Sequence, residues 1–299
     1  MGSHFSQPEA DMYRFVLFAL FFGQPRPAPL LRVEAPPELA AVRTRLESFD
    51  TQRLADIEQL VGLTDPGPAI PVVLATESSD WARQVSPWVA GFALDASDLV
   101  VLFPARSPGY PHDTFEDVLR HEVAHVLIRR ASGGQPVPRW FNEGLAMAAE
   151  HAWRFEDQTQ LLYQLVLGPR ISLRELDRLF GGDRSDQTRA YALAGAFVRD
   201  AFQRHGSPVA GEILIRVRRG APFDLAFADV TGLTPAGAES EFWQGQRIWS
   251  TWVPIITSSA TLWTAVTLLA ILAIRRRRQR NAEIEKQWEE EEGNGPELH

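Results

Sequence analysis

Two histidines four residues apart, with a glutamate directly after the first, are the residues of this chain best suited to chemistry. The stretch reads His121-Glu122-Val123-Ala124-His125. On a helix, positions i and i+4 share one face, so both imidazoles can reach one metal ion, and zinc is the ion this spacing suits. Glu122 would stand beside that ion, placed to take a proton from a water that the metal has acidified.

The chemistry needs a helix and a third ligand. Asp113 to Asp117 offers an N-cap and acidic first-turn residues, Val118, Leu119, Val126 and Leu127 recur at helical spacing, and Arg129-Arg130 suit a C-terminal turn before Gly133-Gly134 and Pro136. A catalytic zinc takes three protein ligands and keeps one position open. Downstream, Pro138 can start a second helix running through Trp140-Phe141-Asn142-Glu143-Gly144-Leu145-Ala146. If the two helices pack as an antiparallel pair, Glu143 can complete a His-His-Glu site; otherwise it is a solvated glutamate on an amphipathic face.

H-E-x-x-H followed by W-F-N-E-G-L-A resembles the gluzincin metallopeptidases. It is similar to the W-L-N-E-G-F-A segment of the membrane alanyl-aminopeptidase group and to the smaller bacterial peptidase MA-like domains; Glu150 also matches a glutamate often found there. The resemblance covers about Trp88 to Gly206. It implies zinc ligands His121, His125 and Glu143, with Glu122 as general base. It also implies an oxyanion donor in Tyr191, a residue otherwise read as a helix tyrosine packed in the core. Asn142 is a lesser candidate, for a hydrogen bond behind the metal. Two departures stand out. Thermolysin-type members place an aspartate four residues after the third ligand, where this chain has Met147. Aminopeptidases carry a G-x-M-E-N strand whose glutamate holds the substrate's free amine, whereas Val89-Ala90-Gly91-Phe92-Ala93-Leu94 has no glutamate. An endopeptidase is therefore expected over an exopeptidase. His112, His151 and His205 have no partner at ligand spacing and read as surface or core residues.

The rest of the chain sets the expected context. Residues 253–274 carry no charge over 22 positions, and Arg275-Arg276-Arg277-Arg278 follow directly. A helix of that length crosses a hydrocarbon core of about 30 Å, and the arginines place the tail in the cytoplasm by the positive-inside rule. Arg14 before Phe15-Val16-Leu17-Phe18-Ala19-Leu20-Phe21-Phe22 suggests a signal peptide within 1–28. The expected order is thus an N-terminal extension (1–28), an extracytoplasmic peptidase-like domain (29–250), a transmembrane helix (253–274) and a charged cytoplasmic tail (275–299). The absence of cysteine excludes disulfides and thiolate zinc sites, and a net charge of −8 without a basic stripe argues against nucleic acid as a partner.

Strands are expected at 70–76, 88–94 and 98–103. Helices are expected over 38–61, at the two motif segments, and near 159–167, 172–180, 187–205, 208–219 and 235–249. The fold class is α+β: a small N-terminal sheet and a helical C-terminal part. The expected function is a membrane-anchored zinc endopeptidase acting on a peptide or protein substrate. The competing expectation is an inactive relative that binds zinc or peptide within a membrane assembly. An intramembrane protease is disfavoured because Glu116, Asp117, Arg120, Arg129 and Arg130 surround the motif.

Overall fold

The computed structural model describes residues 31–49, 52–94, 97–106, 108, 112, 114–150, 170–256, 263–264, 266–277 and 280. The expected signal peptide, the helix near 159–167, His151 and the tail beyond 280 lie outside the described residues. The chain divides into two compact units, Met1–Phe242 and Trp243–His299.

The first unit opens with strand β1 (Leu31–Glu34), helices α1 (Ala40–Glu47) and α2 (Gln52–Val61), strand β2 (Ile70–Leu74) and a short helix α3 (Asp80–Gln84). Strands β3 (Gly91–Leu94) and β4 (Leu99–Leu102) follow. Helices α4 (Phe115–Ala131) and α5 (Arg139–Glu150) come next, then α6 (Leu173–Leu179), α7 (Arg184–His205), α8 (Val209–Arg218), α9 (Phe223–Thr231) and α10 (Pro235–Ile256), the last running into the second unit. The architecture is a mostly helical α+β fold with a four-stranded sheet.

The sheet order is β1-β2-β4-β3, with β1, β2 and β4 parallel and β3 antiparallel on β4 at one edge. Central β2 and β4 are almost wholly apolar, as strands covered on both faces are. Strand β1 was not expected: it sits in a Pro-rich stretch, and only its pairing with β2 makes it a strand.

Helix α4 packs against β3 and β4 and also against α2 and α5. It is consequently buried around most of its circumference, from Val118 and Leu119 through Val126, Leu127 and Ile128, rather than along one stripe. Its start is a capping box on Thr114, within the segment expected to cap it. The Asp117 N–H donates to Thr114 Oγ1 (3.1 Å), and the Thr114 N–H donates to Asp117 Oδ2 (3.0 Å). At its other end Arg129 and Arg130 both donate to Asp98, in the turn before β4, and Arg130 reaches the Pro66 carbonyl as well.

Arg106 fastens the approach to the edge strand. Its buried guanidinium stacks over Phe103 (3.9 Å), forms a two-point pair with Glu77 (2.8 and 3.0 Å), and donates to the carbonyls of Ser86 and Val89. The pairing holds the Glu77 carboxyl below its ordinary range.

Gly144 explains how α5 lies so close to α7. A methyl group there would sit 2.5 Å from the Ala194 carbonyl oxygen and 2.5 Å from Val198 Cγ2. The Ala194 carbonyl is helix backbone and cannot swing aside. Relieving that overlap costs about 3 kcal/mol, while alanine's better helix propensity returns about 1. Gly144→Ala is therefore expected to lower stability by about 2 kcal/mol, a fall in melting temperature of roughly 4–8 °C. A melting temperature equal to wild type would refute the close contact.

One expectation needs correction. Among the described residues no helix is long and apolar enough to cross a membrane, so the transmembrane helix at 253–274 is not found. Val253–Ile256 instead close α10, whose earlier turns carry Glu239, Glu241 and Arg247. The helical residues 266–277 number 12 and already include Arg275, Arg276 and Arg277. A spanning helix needs about 20 consecutive apolar residues. Among the described residues, lack of charge thus did not give a helix of spanning length.

Candidate metal centre

Three elements position the candidate ligands. Helix α4 stacks His121 and His125 one turn apart, their rings edge-to-face with centroids 4.7 Å apart. Helix α5 brings Glu143 across from its second turn. Its start is fixed twice: the Trp140 N–H donates to Asp177 Oδ1 of α6 (3.0 Å), and the Trp140 indole is set among Phe141, Phe197, Phe223 and Phe227. Helix α7 packs on α5 and carries Tyr191.

The three side chains converge. Glu143 Oε2 lies 3.5 Å from His121 Nε2 and 3.5 Å from His125 Nε2, and the three potential ligand atoms all lie within 4.8 Å of one another. The group is largely buried and could hold a metal ion. Glu143 Oε2 is a buried carboxylate oxygen that accepts no hydrogen bond among the described residues. Its attraction to the two imidazoles is a matter of charge, so a cation between the three atoms would satisfy it.

The titration of the group says the same. Burial disfavours charge on His125, but the Glu143 carboxylate outweighs it and raises the imidazole above its ordinary value. Burial also pushes Glu143 up; the His125 and His121 imidazoles overcome this and hold the carboxyl far below the usual range. Negative charge is retained at Glu143 and positive charge is drawn in beside it.

His125 is oriented from behind. Its Nδ1 lies 3.0 Å from Asn142 Oδ1, an acceptor that favours a proton on Nδ1 and so leaves Nε2 to face the site. Asn142, one residue before Glu143, thus provides support at the centre where Met147 has no polar group to offer.

The centre opens into a cleft of about 490 Å³. Glu122 is buried, 6% exposed, yet lines this cleft, and Tyr191 lines it too, its ring centroid 6.1 Å from that of His121. One wall is the edge strand with the residues before it, Trp88 to Ala93. Gly91 lets this wall approach: a methyl group there would meet Val118 Cγ1 at 2.7 Å and the Glu122 Cγ at 3.3 Å. Among the described lining residues the carboxylates are Glu122 and Glu143 alone.

The structure therefore gathers all five expected site residues, His121, Glu122, His125, Glu143 and Tyr191, at one cleft. It also places there residues that the sequence did not single out. His112 sits edge-on to His121 with ring centroids 4.7 Å apart and lines the cleft, outside the group of three potential ligands. His205 lies at the end of α7, away from the cleft lining. Arg139, Phe180 and Gln187 complete the rim. Arg139 had a legible signal, since it stands one helical turn before Glu143; His112, in an irregular segment, had none. No protein-family model matches the chain, and neither does any curated protein.

Proposed function

We propose that this chain is a zinc-dependent peptidase of the gluzincin type that cuts within peptide chains. The observation that carries the reading is the placement of Glu143 Oε2 equally far, 3.5 Å, from the two Nε2 atoms of a His-Glu-x-x-His helix. A tetrahedral ion with arms of about 2.1 Å has ligands about 3.4 Å apart, and two imidazoles plus a carboxylate form a familiar donor set for catalytic zinc.

A zinc ion held there supplies a Lewis acid that polarises a carbonyl and makes water acidic near neutral pH. The remaining steps belong to the chain. A Glu122 carboxylate oxygen takes the proton of the attacking water and returns it to the leaving amine. The Tyr191 hydroxyl donates to the carbonyl oxygen as negative charge gathers on it. Asn142 keeps His125 in the tautomer that leaves Nε2 free. Among the described residues the outer edge of β3 pairs with no other strand, and an extended peptide can lie against it along the cleft. Cutting within chains is supported by the lining, since Glu122 and Glu143 are both engaged at the centre and no further described carboxylate is there to anchor a free amine.

The test uses the full chain loaded with zinc and a peptide library read by mass spectrometry. Internal cleavage is expected, lost when zinc is chelated and regained when it is restored. Stoichiometric zinc with no cleavage of any peptide would point instead to a zinc- or peptide-binding module.

A further inference from the structure

We infer that the cleft selects a substrate carrying a carboxylate next to the scissile bond, and that Arg139 is the residue that binds it. The inference rests on the peptidase reading above and names the class of substrate.

Charge in the cleft is lopsided. Glu122 and Glu143 are committed to the centre, and a divalent cation there offsets both. Arg139 is then the one permanent side-chain cation among the described lining residues. It stands at the first residue of α5, where the positive end of the helix dipole adds to its charge.

Its present contacts leave it available. The guanidinium carbon lies over the Phe180 ring, 4.9 Å from its centroid, a cation–π contact that uses none of its N–H donors. Its one ion pair among the described residues is with Glu143 Oε1 at 3.5 Å, the outer limit of a hydrogen bond, and the side chain is still 49% exposed. Asp177 of α6 feels the charge of Arg139, but its carboxylate is taken by the Trp140 N–H. A half-exposed arginine placed over an aromatic ring, whose ion-pair partner Glu143 belongs to the candidate metal group, can receive a two-point carboxylate from outside.

The carboxylate has two possible sources, an acidic side chain or the C-terminus of the substrate. Peptide pools bearing a glutamate, and the same pools with glutamine in its place, each with a free or an amidated C-terminus, separate them. With the zinc-loaded full chain, carboxylate peptides are expected to be cleaved with kcat/KM roughly 10- to 100-fold above their neutral partners. Loss of the preference on Glu-to-Gln replacement assigns the side chain; loss on amidation assigns the terminus and would replace cutting within chains by cutting at the chain end. Arg139→Gln should erase the preference while holding about one zinc per chain. Arg139→Lys, a point charge without the fork, should keep only part of it. Equal wild-type rates on all four pools, or an undiminished preference in Arg139→Gln, overturn the inference. If no pool is cleaved, the peptidase reading fails, and the affinities of the same pools then decide on Arg139. A carboxylate preference that Arg139→Gln abolishes upholds its role, and equal affinities overturn it.

Discussion

Glu122→Gln is expected to bind zinc as wild type does and to cleave peptides about 10²- to 10⁴-fold more slowly, the span attributed to a positioned acid–base group. The substitution is nearly isosteric, and the site is tight: Glu122 is buried, and the Gly91 backbone passes so close that a methyl group there would lie 3.3 Å from the Glu122 Cγ. Glutamine must therefore occupy the same space, with an amide that cannot accept the proton of the attacking water. Zinc content and cleavage rate, measured on the same preparation, separate the two roles. A variant that cleaves at the wild-type rate would remove Glu122 from the mechanism.

Glu143→Ala should weaken zinc binding by about a thousandfold, because it removes one of three ligands, and even structural zinc held by four ligands binds with only about 10–16 kcal/mol. Competition with a chromophoric chelator reads the affinity directly. The same variant has a second signature in the zinc-free chain. His125 is raised above its ordinary value near 6.5, so its contact with Glu143 stabilises fully below that pH and fades as pH climbs through the raised value. Glu143 is depressed from its ordinary value near 4.5, so its contribution is present above that pH and fades as pH falls through the lowered value. Both hold between about pH 4.5 and 6.5, where Glu143→Ala should lose most melting temperature relative to wild type. A loss confined to higher pH would show that the His–Glu attraction is not what binds the helices at this point.

What could be read from the sequence follows from how local each signal is. The His121–His125 helix announced itself through spacing and flanking charge, and the second helix through Pro138 and its alanines. Strands β2, β3 and β4 were legible as short apolar runs between Pro, Gly and Asp, although each is shorter in the structure than expected. Strand β1 was not, because four residues in a Pro-rich stretch become a strand only by pairing with β2, 39 positions on in register. Helix α9 was missed for a related reason: nine residues beginning after Pro222 carry too short a pattern, and Phe223 and Phe227 gain meaning only from the aromatic group around Trp140. The expected span at 253–274 rested on absence of charge, and among the described residues no helix is both long and apolar enough to cross a membrane. At the site, residue types at ligand spacing were visible, and Arg139 could be placed one helical turn before Glu143, whereas His112 matters only through where the chain brings it.

The Arg106 anchor has a consequence for how a ligand would meet the cleft. One guanidinium ties Glu77, the carbonyls of Ser86 and Val89 and the Phe103 ring into a single knot, and the rim residue Trp88 lies between two of those tie points. The conformational freedom of this rim is surrendered when the chain folds rather than when a partner arrives. A peptide docking along β3, as proposed, would find its template already set, and the entropy of ordering would fall on the peptide alone.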